Sequence, residues 1–191
     1  GQVHRAKLST GEEVIVKLKR PNIYNIMKND TDNIRQIVEF LEKIGIDTGT
    51  NTGYVLDESI DFLLAESDYE KEIENAKNFR KRMKKIKWMK VPKIYTEICN
   101  ENMIVMEYVP SEKLDSISDL RVNKKKVCEA LLNSYVIQTM DKGFFHADPH
   151  PGNLGFSGNG KLVFYDFGLV IDISDEMKEG FKEMFLHIIN K

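Results

Sequence analysis

The stretch of sequence that decides the fold runs from Gly143 to Gly168 and reads GFFHADPHPGNLGFSGNGKLVFYDFG. Asp148 precedes Asn153 by five positions, and Asp166 follows Asn153 by thirteen. Between Asn153 and Asp166, two short apolar segments flank the turn sequence Ser-Gly-Asn-Gly at 157–160, which predicts a β-hairpin. The stretch therefore presents two carboxylates and one amide at fixed spacing around a hairpin.

This spacing is typical of the catalytic and metal loops of kinases, H-x-D-x-x-x-x-N followed by D-F-G. Phosphoryl transfer needs a carboxylate that orients the acceptor, and an amide with a second carboxylate that hold Mg²⁺ on the phosphates. Asp148 is the candidate for the first role, and Asn153 and Asp166 are the candidates for the second. A polar loop followed by an accidental turn is the alternative, but both motifs occur together at the expected spacing.

The two histidines of the stretch invite a zinc interpretation, which the sequence does not favour. A catalytic zinc ion takes three protein ligands, and His146 and His150 have no third histidine or cysteine nearby in sequence. We expect His146 to brace the loop from the core instead.

Two charged residues earlier in the chain point to the same chemistry. Lys17 lies in a predicted strand, on the same face as Ile15, and matches the lysine of V-A-x-K that contacts the α- and β-phosphates. Glu72 lies on the apolar face of a helix predicted to begin after Asp68, four residues before Ala76. Because burying an unpaired carboxylate is costly, an ion pair between Lys17 and Glu72 is predicted.

The hydrophobic pattern elsewhere predicts an α+β fold. Strands are predicted over residues 2–8, 14–18, 93–98 and 103–109, and helices over 31–44, 127–140 and 175–190. The segment 127–140 is apolar nearly all round, which indicates a buried helix, and Gly143 is its natural C-cap. A β-rich first half and a helical second half predict a bilobal protein-kinase-like fold. The N-lobe, with inserted helices, is predicted over 1–107 and the C-lobe over 108–191.

Composition excludes several classes of protein. The 191 residues include 28 basic and 30 acidic side chains, and a pI of about 6.2 argues against a globally basic nucleic-acid binder. Two cysteines in no paired motif indicate a reduced intracellular protein. Residues 77–90 carry eight basic side chains and no acidic one. We expect a solvated surface there and no nucleic acid, because Trp88 alone is thin support for base stacking.

On these residues the chain resembles the UbiB/ADCK family of atypical kinase-like ATPases linked to ubiquinone biosynthesis. The matching segments are GQVHRA at 1–6, VIVKLKRPN at 14–22, ESDYEKEIENAKNF at 66–79, VPKIY at 91–95, MEYVPSEKL at 106–114 and FFHADPHPGNL at 144–154. FFHADPHPGNL is highly specific in this form, and ordinary protein kinases lack the E-x-D segment that begins at Glu66.

The resemblance implies a role for each matching position. It makes Lys17 and Glu72 the catalytic ion pair, Asp148 the catalytic-loop acid, Asn153 and Asp166 the Mg²⁺ ligands, Glu66 and Asp68 the regulatory E-x-D element, Met106 the gatekeeper, and Glu107 to Val109 the hinge that meets adenine. Ile15 stands where the family usually has alanine over the adenine ring, so we expect it to narrow the pocket. The resemblance also implies ATP and Mg²⁺ as cofactors.

Function and setting follow as expectations. We expect an Mg-dependent kinase or ATPase that supports quinone or lipid metabolism. A lipid or quinone-precursor ligand and peripheral membrane association would fit, and no oligomeric state is predicted. The protein would be intracellular: mitochondrial or plastid in a eukaryote, otherwise cytoplasmic or peripheral to a membrane. Because the chain begins inside the family's phosphate loop, we expect a piece cut at both ends.

Two alternatives remain open at this point. A small-molecule phosphotransferase of the aminoglycoside or choline kinase type also carries the H-x-D-x-x-x-x-N loop, but it does not explain the segments at 1–6 and 66–79. A nucleotide-sensing pseudokinase is the other. Transfer to other proteins is disfavoured, because Ala147 occupies the arginine position of H-R-D and no A-P-E segment follows Gly168.

Overall fold

A computed structural model of the chain describes residues 1–46, 55–57, 60, 67–114 and 123–190. Both helices and sheets are present, and they follow one another without regular alternation, so the predicted α+β class is confirmed. The strands are β1 (Gln2–Lys7), β2 (Glu13–Leu18), β3 (Met89–Lys90), β4 (Met103–Glu107), β5 (Glu112–Lys113), β6 (Phe144–His146), β7 (Leu154–Phe156), β8 (Leu162–Phe164) and β9 (Val170–Asp172). The longer helices of the described residues are α1 (Ile23–Lys43), α2 (Tyr69–Met83), α3 (Lys124–Val136) and α4 (Asp175–Ile189).

The first sheet holds three antiparallel strands in the order β1-β2-β4. The predicted hairpin of β1 and β2 is confirmed, with Gly11 in the positive-φ conformation (φ 93°) at its turn. β2 is therefore the central strand, and it pairs Ile15 with Met106 and Lys17 with Ile104 of β4. This register places Ile15, Lys17 and Met106 close together in the sheet.

A second sheet in the order β3-β8-β7-β5 joins distant parts of the chain. The predicted hairpin of β7 and β8 is confirmed, and β3 runs parallel to β8 at its outer edge. The short antiparallel pair of β6 and β9 lies on either side of the functional stretch in sequence. The loop that follows β6 and the D-F-G residues that precede β9 are therefore attached to two strands that pair with each other.

The core is centred on aromatic rings from both ends of the chain. Phe79 of α2, Phe164 of β8 and Phe167 are fully buried, and the ring of Phe79 lies 5.3 Å and 5.4 Å from the other two. The helix that carries Glu72 is thus packed directly on the residues around Asp166.

Helix boundaries agree with the sequence where capping residues are clear. Asp68 caps α2, because its side chain accepts a hydrogen bond from the backbone amide of Lys71 at 3.0 Å. Gly143 ends the helical segment at 137–142 in the left-handed conformation (φ 58°), as predicted. α4 begins after the N-cap Ser174, within a residue of its predicted start.

Three predicted elements are wrong in part. Residues 93–98 form no strand: Ile94 makes an isolated bridge to Met106, and Thr96–Ile98 is a 3-10 turn. The helix predicted over 31–44 starts at Ile23, because Pro21 ends the strand and the chain turns at once into the helix. The segment 127–140 is not buried all round, since Leu132 is 67% exposed and the last turns change to a π-helix at 137–142.

Among the described residues, no helix is both long and apolar enough to span a lipid bilayer. The boundary between lobes at residues 107 and 108 stays a prediction. The two parts of the chain are not separate cores, because one cluster of buried side chains contains residues of α2, β4, β7 and β8.

Candidate functional site

Lys17 is the centre of the candidate site. Its Nζ lies 2.8 Å from both carboxylate oxygens of Glu72 and 2.9 Å from Oδ2 of Asp166. The Glu72 side chain is 2% exposed, whereas that of Asp166 is 38% exposed. The structure therefore brings together three sequence-predicted residues from β2, α2 and the segment after β8.

The three charges shift one another's protonation. Burial lowers the pKa of Lys17, but the carboxylates of Glu72 and Asp166 outweigh burial and raise that pKa well above its ordinary value. Burial and the nearby Asp166 carboxylate raise the pKa of Glu72 despite the attraction of Lys17. Burial opposes ionisation of Asp166, but Lys17 and the amide of Gly168 outweigh it and lower the Asp166 pKa. Lys17 and Asp166 are thus charged at neutral pH, and Glu72 is the carboxyl that is harder to ionise.

Local hydrogen bonds position Glu72 and the D-F-G segment. Asn75, one turn after Glu72 on α2, donates from Nδ2 to the carbonyl oxygen of Phe167 at 2.9 Å. The backbone amide of Gly168 donates to Oδ1 of Asp166 at 3.0 Å. These bonds fix both Phe167, which is buried in the core, and the direction of the Asp166 carboxylate.

The loop after β6 carries Asp148 and Asn153. Nδ2 of Asn153 donates to Oδ2 of Asp148 at 2.6 Å, so the two predicted residues are in direct contact. A 3-10 turn at Pro151–Asn153 brings them together, and His150 caps that turn by accepting from the amide of Gly152 at 3.1 Å. The Asn153 amide is oriented by this contact, and its Oδ1 accepts no hydrogen bond from a described residue.

His146 lies under the loop and is 1% exposed. Its backbone amide donates to Oε1 of Gln138 at 2.9 Å, and its Nε2 is hydrogen-bonded to the carbonyl oxygen of Asp166. Burial lowers the His146 pKa, which favours the neutral ring among the aromatic side chains. The expectation that His146 braces the loop from the core therefore agrees with its contacts.

Two cavities meet at Lys17, Asn153 and Asp166. The first, about 330 Å³, is lined by every predicted nucleotide-binding residue: Ile15, Lys17, Met106, Glu107 and Val109. The second, about 420 Å³, is lined by Asp148, Lys17, Asn153 and Asp166. A ligand in the first cavity and a ligand in the second would therefore meet at these three shared residues.

The hinge segment has a specific pattern of bonded and open backbone groups. The amide of Glu107 donates to the carbonyl of Lys93 at 2.8 Å, and that of Tyr108 donates to Glu13 at 3.0 Å. The carbonyl of Val109 accepts from Oγ of Ser111 at 2.9 Å, but the Val109 amide has no partner among the described residues. The Val109 N–H is thus a free donor at the edge of the first cavity.

Sequence reasoning did not identify several residues that line these cavities. Tyr69 is buried in the wall of the second cavity, with its ring 5.2 Å from Nζ of Lys17. Ser111 and Tyr165 line the first cavity and are hydrogen-bonded to each other. Tyr69 directly follows the N-cap and Tyr165 directly precedes D-F-G, so adjacency to a motif was the only signal that could have marked them.

The regulatory pair predicted from the sequence is described only in half. Asp68 lies at the N-terminus of α2 and caps it, one residue before Tyr69. Glu66 lies outside the described residues. Any regulatory role of the pair therefore stays a prediction.

The donor set fits a magnesium ion. Asn153 and Asp166 offer an amide oxygen and carboxylate oxygens, the hard ligands that Mg²⁺ prefers, and both line the two cavities. Asp166 is partly exposed, so a cation can reach it. Its bond to Lys17 would have to lengthen or rearrange to admit the ion.

Comparison with known proteins gives one consistent result. The family described as the ABC1 atypical kinase-like domain matches residues 1–191. Two chloroplastic Arabidopsis thaliana proteins named activity of bc1 complex kinase 8 and kinase 7 are 38% and 34% identical to it. Each alignment covers 100% of this chain but only 26% and 28% of the relative. The chain thus spans about a quarter of the length of these relatives.

A solved structure shares the fold. A Mycobacterium tuberculosis protein, determined in complex with erythromycin, superposes with a TM-score of 0.70 at 25% sequence identity. The superposition covers 91% of this chain and 44% of that one. Together with the strand order and the loop geometry, this establishes an α+β kinase-like fold for the chain.

Proposed function

Because the chain belongs to the ABC1 atypical kinase-like family, which includes the UbiB and ADCK proteins, we propose that it binds Mg-ATP and catalyses phosphoryl transfer or ATP hydrolysis. The observation that carries the proposal is the position of Lys17. Its ammonium lies where the two cavities meet, held by the buried Glu72 and the partly exposed Asp166. A lysine fixed by a buried carboxylate is the arrangement that kinases use to hold the α- and β-phosphates.

The first cavity supplies the groups that adenine requires. Ile15 of β2 and Met106 of β4 are paired in the sheet and both line this cavity. Their apolar side chains would contact the adenine ring. The free amide of Val109 can donate to a ring nitrogen of adenine, and the carbonyl of Glu107 can accept from its amino group. In this arrangement the phosphates extend toward Lys17.

The residues of the second cavity would act on the terminal phosphate and its acceptor. Asn153 and Asp166 would hold Mg²⁺, which when bound neutralises charge on the phosphate oxygens. Asp148, oriented by Asn153, would accept a hydrogen bond from the attacking hydroxyl or water and then its proton. The acceptor oxygen would form a bond to the terminal phosphorus as the bond from that phosphorus to the bridging oxygen breaks, leaving ADP.

Several finer statements belong to this proposal. We propose an ATPase or a kinase of small molecules that supports quinone or lipid metabolism, with a lipid or quinone-precursor ligand and peripheral membrane association. The chloroplastic relatives support a plastid location in a photosynthetic eukaryote. The contact between Asp148 and Asn153, together with Lys17 and Asp166, supports an enzyme over a nucleotide-sensing pseudokinase.

The experiment is a thermal-shift titration of the full-length protein with ATP and ADP, with and without Mg²⁺. We expect a nucleotide-dependent rise in Tm that Mg²⁺ increases, and we expect Asp166→Asn to lose the Mg²⁺ component. Asp172→Asn is the matched control, because Asp172 lies on β9 and pairs with Arg82 on the surface. Absence of any Mg²⁺-dependent shift in the unaltered protein would contradict the proposal. Turnover of ATP without a phosphorylated protein would favour the ATPase over a protein kinase.

A further inference from the structure

A basic groove lies between the last turns of α2 and β3, apart from the two cavities of the candidate site. Its volume is about 530 Å³. The groove is lined by six cationic side chains and four apolar ones: Lys77, Arg80, Lys81, Lys84, Lys90 and Lys93, with Met83, Met89, Val91 and Ile94. Most of the basic side chains of residues 77–90 line this basic groove, and the proposed function gives them no role.

Positive charge in the groove is poorly compensated. Among the residues that the structure describes, no acidic side chain lines it, and the carboxylate that contacts its cations is that of Glu107, 2.5 Å from Nζ of Lys90 and 3.8 Å from Arg80. Among the described residues, the other four cations of the groove meet no carboxylate within 4.0 Å. One carboxylate therefore faces six cations, and the groove carries a net positive potential.

The groove is also preorganised for an anion. Arg80 donates from Nη1 to the carbonyl of Val91 at 2.7 Å, which holds the guanidinium at the groove wall. The four apolar side chains that form the floor are each at most 8% exposed. Low-dielectric walls beneath charges of one sign focus the electric field in a cleft, and a fixed guanidinium suits phosphate oxygens.

From this geometry we propose that the basic groove binds a small ligand that carries phosphate groups, at a site separate from the nucleotide cavity. The ligand supplies several negative charges within the reach of Lys81, Lys84 and Lys90. Free polyphosphate and the phosphate headgroup of a lipid share this chemistry. In either case the ligand replaces Glu107 as the counterion of Lys90.

Glu107 links the groove to the hinge. Its side chain binds Lys90 and the amide of Lys93, while the same residue lines the nucleotide cavity. Because Glu107 and the ligand compete for Lys90, Glu107→Gln should strengthen phosphate binding. A groove that served only as a solvated surface would show no such competition.

The test is isothermal titration of the full-length protein with tripolyphosphate at an ionic strength of about 0.15 M, where loose surface attraction is screened. We expect Lys81→Glu/Lys84→Glu to weaken binding by about tenfold or more. The matched control is Lys85→Glu/Lys87→Glu, which reverses two charges of the same run outside the groove. We expect that control to change the affinity by less than about threefold.

Two further arms separate the site from the nucleotide cavity and identify the source of the phosphate. Binding of tripolyphosphate to the groove should persist in Lys17→Met/Glu72→Leu, in which both members of the buried ion pair are apolar, so failure of the proposed ATP function would not affect this result. Vesicles of phosphatidylcholine, with and without phosphatidic acid, are sedimented with the same variants. Groove-dependent binding to phosphatidic acid vesicles alone would identify a lipid headgroup as the ligand. Groove-dependent binding to tripolyphosphate alone would identify a free phosphate compound as the ligand.

Defined results would overturn the proposal. Equal loss of binding in the groove pair and in the control pair would mean diffuse attraction without a site. Loss of all binding in Lys17→Met/Glu72→Leu would place the anion in the nucleotide cavity. If Glu107→Gln binds tripolyphosphate no more tightly than the unaltered protein does, Lys90 is not part of the site. Binding to neither tripolyphosphate nor phosphatidic acid vesicles would exclude the phosphate site altogether.

Discussion

Lys17 and Asp166 lie 149 positions apart in sequence, yet the ammonium of one is 2.9 Å from the carboxylate of the other. The same ammonium also neutralises Glu72, which is almost completely buried. One cation therefore serves two carboxylates that repel each other. This arrangement makes Lys17 important for stability as well as for the proposed binding of phosphates.

Removal of Lys17 should destabilise the protein through Glu72. In Lys17→Met, whose side chain has a similar length, the Glu72 carboxylate would be buried without a cationic partner. We expect a loss of about 3 kcal/mol in the free energy of unfolding, measured by urea denaturation. Lys7→Met, on the exposed strand β1, is the control and should change the free energy by at most about 0.5 kcal/mol.

A second variant shows whether the unpaired carboxylate causes that loss. In Lys17→Met/Glu72→Leu both charges are replaced by apolar side chains of similar volume, so most of the lost stability should return. Nucleotide binding should not return, because the cation is still absent. A double variant as unstable as Lys17→Met would show that packing, and not charge, accounts for the effect.

The instability of Lys17→Met should depend on pH. Burial and Asp166 already raise the pKa of Glu72, and loss of Lys17 raises it further. A carboxyl whose pKa is higher in the folded than in the unfolded state destabilises the folded protein above that pKa. This destabilisation disappears as the pH falls toward the pKa that the carboxyl has in the unfolded state. We therefore expect the deficit relative to the unaltered protein to shrink between about pH 7.5 and about pH 5.

Urea denaturation of both proteins across that pH range measures the deficit directly. In the unaltered protein, the stability that comes from the lowered pKa of Asp166 is lost only as the pH falls below the ordinary carboxyl range, near about 4, which lies outside this window. A deficit that stayed constant with pH would contradict the assignment to Glu72.

Gly155 is required by the close approach of Tyr165. A Cβ at position 155 would lie 2.5 Å from the Tyr165 hydroxyl oxygen and 3.1 Å from the carbonyl of Glu112. We expect Gly155→Ala to lower the free energy of unfolding by about 1–3 kcal/mol, because the ring must move out of the wall of the nucleotide cavity. Gly158→Ala is the control, since its Cβ would meet open space.

A double-mutant cycle tests whether the Tyr165 hydroxyl is the cause. Tyr165→Phe removes the hydroxyl that the new Cβ would meet, so Gly155→Ala should cost less in that background. Fully additive effects in urea denaturation would instead implicate Cε2 of the ring, 2.9 Å from the new Cβ, or the Glu112 carbonyl.

The parts of the site that the sequence predicts are those whose chemistry requires fixed spacing. Asp148 and Asn153 lie in one loop, and the hairpin of β7 and β8 returns the chain to Asp166. A charged residue on an apolar helix face, such as Glu72, requires a partner, and the strand with Lys17 offered one. Both arguments use local pattern together with the cost of burying charge.

The errors arise where tertiary contacts decide the local structure. Residues 93–98 have strand-like composition, but only residues 93–95 pair with β4, around the bridge of Ile94 to Met106, and Thr96–Ile98 turns away as a 3-10 segment. The helix predicted over 127–140 has apolar side chains on faces that nothing covers among the described residues, so Leu132 remains exposed. Tyr69 and Tyr165 line the cavities because the tertiary fold places them there. No periodicity in a single sequence indicates such a position.

The last prediction concerns the width of the nucleotide cavity at Ile15. This side chain pairs with Met106 across the sheet, and both line the cavity of about 330 Å³. Ile15→Ala should widen the cavity over the base, so we expect an ATP analogue with a bulky substituent on its adenine ring to bind at least about tenfold more tightly, whereas ATP itself changes little. Competition binding against a fluorescent nucleotide measures both affinities. Ile171→Ala, on β9 outside the cavity, should leave both unchanged, and an equal gain for the two ligands in Ile15→Ala would show that Ile15 does not limit the size of the base.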